Sequence, residues 1–256
     1  MTHDFDQLLQ SAAYAGQLLL ESGAEIYRVE DTICRICLNY GAQEASSIVL
    51  PTGIFVTIVA SGRSVSKIVR IKSRGLDIDR IDRINTLSRQ SKTLTLDEFL
   101  AQLRAIALLR PYSISRRIAA GALGAGGFTL FFGGQFFDLC CALVIGGLIE
   151  GCSSVLEQRQ FPSFFAISLC SALTALLAIG LNQIGLAPSL DALIIGCLML
   201  LVPGLAITNA IRDSLSGDLI SGMTRGVEAV LIAIAVALGP GLVMSLWMML
   251  GGNPLW

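Results

Sequence analysis

Beyond Tyr112 the sequence is a succession of apolar segments, Ile114–Phe132, Asp138–Leu156, Phe161–Leu181, Leu190–Ile211 and Gly226–Leu250. Each is close to the roughly 20 residues that cross a bilayer as a helix. No other feature constrains the fold as much. In hydrocarbon the backbone N–H and C=O groups have to be satisfied within the protein, and continuous apolar segments of this length do so as α-helices. The cations lie elsewhere: of 18 Lys and Arg residues, 13 precede Tyr112, and only Arg116, Arg117, Arg159, Arg212 and Arg225 follow it. The expected fold is an α-helical integral membrane protein in two regions, an N-terminal cytoplasmic α+β domain over 1–110 and five transmembrane helices over 111–256.

Orientation follows from those five cations. Arg116 and Arg117 precede the first segment, Arg159 separates the second from the third, and Arg212 and Arg225 flank the link between the fourth and fifth. All fall on one side if the N-terminus is cytoplasmic and the C-terminus outside, as the positive-inside rule requires. The opening residues MTHDFDQ carry Asp4 and Asp6 where a cleaved signal would carry cations, so the spans are expected in the inner membrane with the first domain left in the cytoplasm. A net charge of -1 offers no basic stripe to phosphates, and nucleic acid is not an expected partner.

Within the first domain, helical spacing runs from Phe5 to Leu20. Ser22-Gly23-Ala24-Glu25 then has the form of a capping box, with Ser22 at the N-cap of a second helix from about Ala24 to Tyr40. Glu25, Arg28, Glu30 and Asp31 crowd two turns of it, either as a solvated face with pairs such as Glu25 to Arg28 or as a gating patch. From Glu44 the period becomes that of strands. Ser47–Leu50, Gly53–Val59 and Val65–Lys72 are separated by turn signals and form a three-stranded meander. Lys67, Arg70, Lys72 and Arg74 make its last strand a basic edge, through solvated edge protection or contact with an anion. A helix over Asp77–Arg89 is expected to turn Ile78, Ile81 and Ile84 inward. Thr95-Leu96-Asp97-Glu98 is a second capping box, opening a helix to about Leu109 that Pro111 ends. Cys34 and Cys37 form a C-x-x-C pair with no second pair to match it, so no metal site is expected.

The fourth apolar segment breaks its own pattern. After Pro203-Gly204 the run admits Thr208, Asn209, Arg212, Asp213 and Asp218. Proline lacks an N–H and crowds the carbonyl four residues back, so a helix through this point kinks or breaks. Either the polar residues mark its cytoplasmic end, or the chain unwinds and a half-helix lines a substrate route, as in transporters built on broken helices. An ionised residue at mid-membrane costs about 2.5–3.5 kcal/mol on insertion scales, so depth decides which acids call for a function. Asp138, Glu150 and Asp191 sit at segment ends and Arg225 with Glu228 is an i, i+3 pair; Asp138 and Glu228 stand as candidates for ion coupling. The small residues in GALGAGG (121–127) and IGG (145–147) read as close helix packing.

Five stretches, ESGAEIYRVEDTI (21–33), PTGIFVTI (51–58), INTLSR (84–89), FFGG (131–134) and LVPGLAITNAIRDSLSGDLISGMTRGVEA (201–229), resemble the threonine/serine exporter (ThrE) family along nearly the whole chain. The resemblance implies an inner-membrane exporter of small metabolites with a cytoplasmic N-terminal domain. Complete members carry a second membrane half, and this chain resembles the N-terminal half. The resemblance therefore implies a small five-span membrane protein as partner, and it is compatible with a homo-oligomer. By resemblance, Gly23, Glu25, Arg28 and Glu30 carry over in the first domain, and Pro203, Gly204, Asn209, Arg212, Asp213, Gly217 and Asp218 in the membrane.

The leading expectation is a subunit of a secondary-active exporter for a small amino acid or carboxylate. In it Asn209 would hydrogen-bond cargo, Arg212 would attract its carboxylate, and Asp213 or Asp218 would couple protons, with no cofactor. The alternative is a membrane-tethered enzyme of hydrolase type, or a regulatory subunit without its own transport path. The enzyme has paired acids in Glu25 and Glu30, but the chain carries no Gly-x-Ser-x-Gly, no His-Glu-x-x-His and a single histidine, His3.

Overall fold

The structure, a computed structural model, describes residues 5–109 and 112–251; His3 and Pro111 lie outside the described residues. The elements in order are α1 (Phe5–Glu21), α2 (Ile26–Asn39), β1 (Glu44–Leu50), β2 (Gly53–Ala60), β3 (Arg63–Arg70), α3 (Ile78–Gln90), α4 (Leu96–Ala107), α5 (Ile114–Phe131), α6 (Phe136–Gln158), α7 (Ser163–Gln183), α8 (Leu190–Leu198), α9 (Gly204–Leu215) and α10 (Leu219–Met249). They divide into two compact units, Met1–Arg110 with Leu205–Gly226, and Pro111–Gly204 with Val227–Trp256.

The first unit follows the rules of a water-soluble core. In α2 the buried positions Ile26, Val29, Ile33, Ile36 and Cys37 recur at steps of three and four, one stripe of a 3.6-residue helix. The strands form an antiparallel meander in the order β1-β2-β3. Alternation buries Ile54, Val56 and Ile58 and turns Ile48, Phe55 and Ile68 outward, where register aligns them across all three strands. The buried face packs with Leu8, Leu19, Ile26, Ile33, Ile84 and Phe99 in one core. Burial of each such side chain contributes about 1.5–3 kcal/mol. Burial also pushes the Cys37 thiol up to about 12, which makes it a small apolar core residue at neutral pH.

Two local expectations fail here. The SGAE stretch is a helix C-cap, not an N-cap box: the Ser22 N–H still bonds Leu18 O at 3.0 Å, and the Ala24 N–H reaches back to Leu19 O at 3.0 Å. Ser22 thus belongs to the last turn of α1, and the N-cap of α2 is Glu25, which makes no capping bond of its own. Ile78 is 62% exposed, whereas Ile84 and Leu87 are buried. A three-residue repeat drifts by about 60° per step on an α-helix, so Ile78 and Leu87 point to opposite sides. The Thr95 box forms as read, completed by Glu98, and Asp77, the expected first residue of the helix, is instead its N-cap, accepting from the Arg80 N–H.

In the second unit large apolar side chains lie on both sides. Leu193, Ile145 and Ile149 are buried beside small residues such as Ala125, Ala142, Thr174 and Ala178, while Leu123, Leu148 and Leu176 are exposed. The small residues let helices approach closely. A Cβ on Gly146 of α6 would come within 2.5 Å of the Ala125 Cβ on α5. Without a solvent that expels apolar side chains, helix association rests on such contacts. Three helices, α6, α7 and α10, are long and apolar enough to cross a membrane. The fourth apolar segment is not one helix: α8 stops at Leu198 and α9 begins at Gly204. Pro203 has no N–H to continue the ladder and lies immediately before the new helix, where its fixed φ is tolerated. The fifth helix starts at Leu219 rather than Gly226, because the chain needs only Ser216, Gly217 and Asp218 to turn out of α9.

Candidate functional site

Beyond the break, α9 and the first turns of α10 belong to the first unit. They form a tight elbow. The Asp218 N–H bonds Asp213 O at 2.9 Å across Gly217, whose φ is +95°. A Cβ on Gly222 would lie 2.0 Å from the Ser214 Oγ, so glycine is what lets the two helices meet there. Opposite lies the turn between α1 and α2. It is braced from behind, the Gly75 N–H donating to Glu21 O at 2.8 Å and the Asp77 N–H to Ser22 O at 3.1 Å. Gly23 holds φ +86°, and a Cβ there would meet the Gly75 carbonyl oxygen at 2.7 Å.

The turn and the elbow are fastened by polar groups. Asn209 Nδ2 donates to the Gly23 carbonyl at 3.3 Å, and Arg212 pairs with Glu25, which also holds Arg28 at 2.5 Å. Asp213 Oδ1 accepts from the Ile26 N–H at 3.3 Å. Its Oδ2 lies 3.1 Å from Arg225 Nε, and Arg225 Nη2 donates to the Ala24 carbonyl at 2.8 Å. Both members of the Asp213–Arg225 pair are buried. Ile26 is the first residue of α2, so Asp213 supplies from a distant helix the capping acceptor that Glu25 does not provide. It places a carboxylate at the positive end of the helix.

Burial raises the Glu30 carboxyl above its ordinary range and Asp218 adds less, against the lowering effect of the Val49 N–H that donates to it at 2.8 Å.

The structure thus brings Gly23, Glu25, Asn209, Arg212 and Asp213 together, joining residues that sequence separated into a gating set and a substrate set. Arg28 joins through Glu25, while Glu30 is tied to β1. Glu25 is buried and not part of a solvated face. Thr208 is exposed on α9, Pro203 and Gly204 mark its start, and Asp218 is half-buried in the elbow. Asp138 lies in the second unit, fully buried, with backbone N–H groups of Gln135 and Ser189 on its two oxygens at 2.8 and 3.0 Å. Glu228 is exposed on α10. Sequence reasoning missed Arg225 as a member of the cluster. It lies 12 residues from Asp213, a separation with no meaning on one helix, and only the elbow folds one onto the other.

The ThrE threonine/serine exporter model matches residues 10–247 of the chain, a range that contains all of these positions. The chain belongs to the threonine/serine exporter family. It is 24% identical over 251 residues to a Klebsiella aerogenes protein named "Probable succinate transporter subunit YjjP", covering 93% of this chain and 92% of that one. No solved structure matches the chain. In this ThrE-family chain the PGLAITNAIRDSLSGD run therefore builds the elbow, and the SGAEIYR run builds the turn that it grips.

Proposed function

We propose that the chain is the larger subunit of a secondary-active inner-membrane exporter for a small polar metabolite, a threonine-like amino acid or a small carboxylate. The relative named as a succinate transporter subunit supports the carboxylate and the word subunit supports a partner, here a small five-span protein that supplies the second half. In this reading the chain crosses the membrane five times, counting α5 and the interrupted α8–α9 segment, with its N-terminus in the cytoplasm. Asp213 or Asp218 carries the coupling proton.

The single observation that carries the reading is that Arg212, the cation placed just past the broken segment, is occupied by Glu25 of the α1–α2 turn. The Glu25 carboxylate stands where the carboxylate of cargo would bind, so the turn acts as a gate and exchange of one carboxylate for the other opens it. A carboxylate–guanidinium pair is geometrically specific, which suits such an exchange. The hydrolase alternative gains nothing from the geometry, since Glu25 is committed to Arg28 and Arg212, and Glu30 to the Val49 N–H.

Counterflow of labelled succinate and threonine in vesicles, with and without the small partner, tests the assignment. Saturable flux that needs the partner, and that falls about tenfold or more in Asn209→Ala, is expected, the loss of one well-placed polar contact to cargo being of that order. Equal, unsaturable efflux from the intact complex and from Asn209→Ala would remove the transport role. Glu25→Gln, which frees Arg212, should speed efflux; unchanged efflux would remove the gate.

A further inference from the structure

We propose that the first unit carries a second, independent ligand site, for a small organic acid, in the pocket between α1, β3 and α4. The pocket has a volume of about 340 Å³, at the small end of the range that holds metabolites. Its polar lining includes Gln7, Gln10, Tyr14 and Gln17 on α1, Lys67 on β3 and Arg104 on α4, and among the described residues no carboxylate lines it.

Two of these elements turn polar side chains toward the pocket, and on β3 that is a departure from what packing alone would select. Positions 7, 10, 14 and 17 form one stripe of α1, and they are Gln, Gln, Tyr and Gln on a helix whose Leu8, Ala12, Ala15 and Leu19 are core. On β3 the alternation is reversed in polarity at one pair. Lys67, in register with buried Val56, takes the inward side, while Ile68 is 69% exposed on the outward side. An inward lysine on an edge strand also discourages strand pairing, but that role needs neither Arg104 nor a polar stripe on α1.

Charge then identifies the ligand. Among the described residues neither Lys67 nor Arg104 is held in an ion pair. The two acids beside the lining are already engaged, Asp97 by the Gln7 amide and Glu21 by the Gln17 amide, each at 2.8 Å. Two cations on separate elements facing one cavity repel, and an anion between them relieves that repulsion. The Arg104 fork suits a carboxylate, and the Tyr14 hydroxyl and Gln10 amide suit the polar remainder of a short acid. Such a ligand would tie α1, β3 and α4 together and stabilise the unit by mass action.

The test uses the full chain in detergent at neutral pH, titrated separately with succinate, threonine and inorganic phosphate, with calorimetry for affinity and amide hydrogen exchange for location. The site predicts saturable binding of at least one of the two organic acids. Protection is expected over residues 7–17, 64–70 and 96–104. Lys67→Gln with Arg104→Gln should weaken binding about tenfold or more, as expected for loss of charge-assisted contacts. Both side chains are at least partly exposed, and a thermal melt without ligand checks that the variant is folded. Tyr14→Phe should weaken binding by a smaller factor without disturbing the fold. Asn209→Ala should leave the ligand-induced protection of residues 7–17, 64–70 and 96–104 unchanged, which separates this site from the transport route. The proposal is overturned by binding to none of the three probes or to phosphate alone, by protection confined to other segments, by loss of the protection of residues 7–17, 64–70 and 96–104 in Asn209→Ala, or by undiminished protection of those residues in the folded double variant.

Discussion

The two units differ less in what they bury, since Leu193, Ile145 and Ile149 are inside the second as Ala12 and Ala15 are inside the first, than in how many large apolar residues they expose. In the first, Leu8, Ile26, Ile33, Ile54 and Phe99 are inside and charged helix faces look outward; in the second, Ala125, Ala142, Thr174 and Ala178 are inside and Leu123, Leu148 and Leu176 look outward. Water rewards removal of apolar surface by about 25 cal/mol per Å², and lipid gives no such reward, so only close contact and internal hydrogen bonds hold helices together there. The ion pairs divide in the same way. In the second unit Arg117 pairs with Glu150 and Glu157, whereas the first unit concentrates Glu25, Arg212, Asp213 and Arg225 at one junction. The junction needs charge because α9 buries only Ala210 and Asp213, too little apolar surface to dock by itself.

The contrast can be broken most forcefully at Arg225. Arg225→Met leaves the Asp213 carboxylate buried without its counter-ion and should cost about 3–5 kcal/mol, read as a lowered thermal midpoint or as new protease cleavage near residues 205–226. Adding Asp213→Asn should recover part of that loss. If the double variant is as unstable as the single one, the ion pair is not what holds the elbow. Next in size, Leu19→Ala in the first core should cost about 2–5 kcal/mol. Leu148→Ala on the outer face of α6 should change stability by about 0.5 kcal/mol or less in bilayer nanodiscs. Similar losses at both positions would mean that the second unit also hides its large residues from water. Gly146→Leu should cost about 1–3 kcal/mol by forcing α5 and α6 apart, measured by thermal denaturation in lipid.

The smallest effect is one of pH. Glu30 has a folded-state carboxyl raised above its ordinary 4.5, so its contribution to stability is complete below that value and is lost as pH rises through the raised one. Glu30→Gln keeps an acceptor for the Val49 N–H without the charge. Its melting temperature should therefore fall less than that of the wild type between acid and neutral pH. Parallel curves for the two proteins would show that Glu30 ionises as freely as in the unfolded chain.

Much of the fold was legible because it depends on local period. The strand alternation after Glu44, the Thr95 capping box, the break at Pro203 and the small-residue packing of α5 on α6 all follow from neighbours a few residues apart. SGAE misled because one string serves two helix ends: a serine three residues before a glutamate fits an N-cap, and a glycine after an apolar helix fits a C-cap. The choice fell to Gly75 and Asp77, which bond the carbonyls of Glu21 and Ser22 from more than fifty residues away. At the candidate site, residue types were legible and partners were not. Asn209, Arg212 and Asp213 stand out as polar residues after an apolar run, but nothing near them announces Gly23, Glu25 or Ile26.

By itself the sequence determined where apolar segments begin and end, which of them a proline interrupts, and that polar residues in an apolar run call for partners. Periodicity, missing N–H groups and the cost of dehydrating charge are properties of short stretches, and they act before any distant contact forms. Only the tertiary structure decided that Asp213 caps α2, that Arg225 neutralises Asp213 and that Glu25 occupies Arg212. Those pairings join positions about 190 residues apart, except for the twelve across the elbow, and a buried charge takes whichever partner the folded backbone brings within reach.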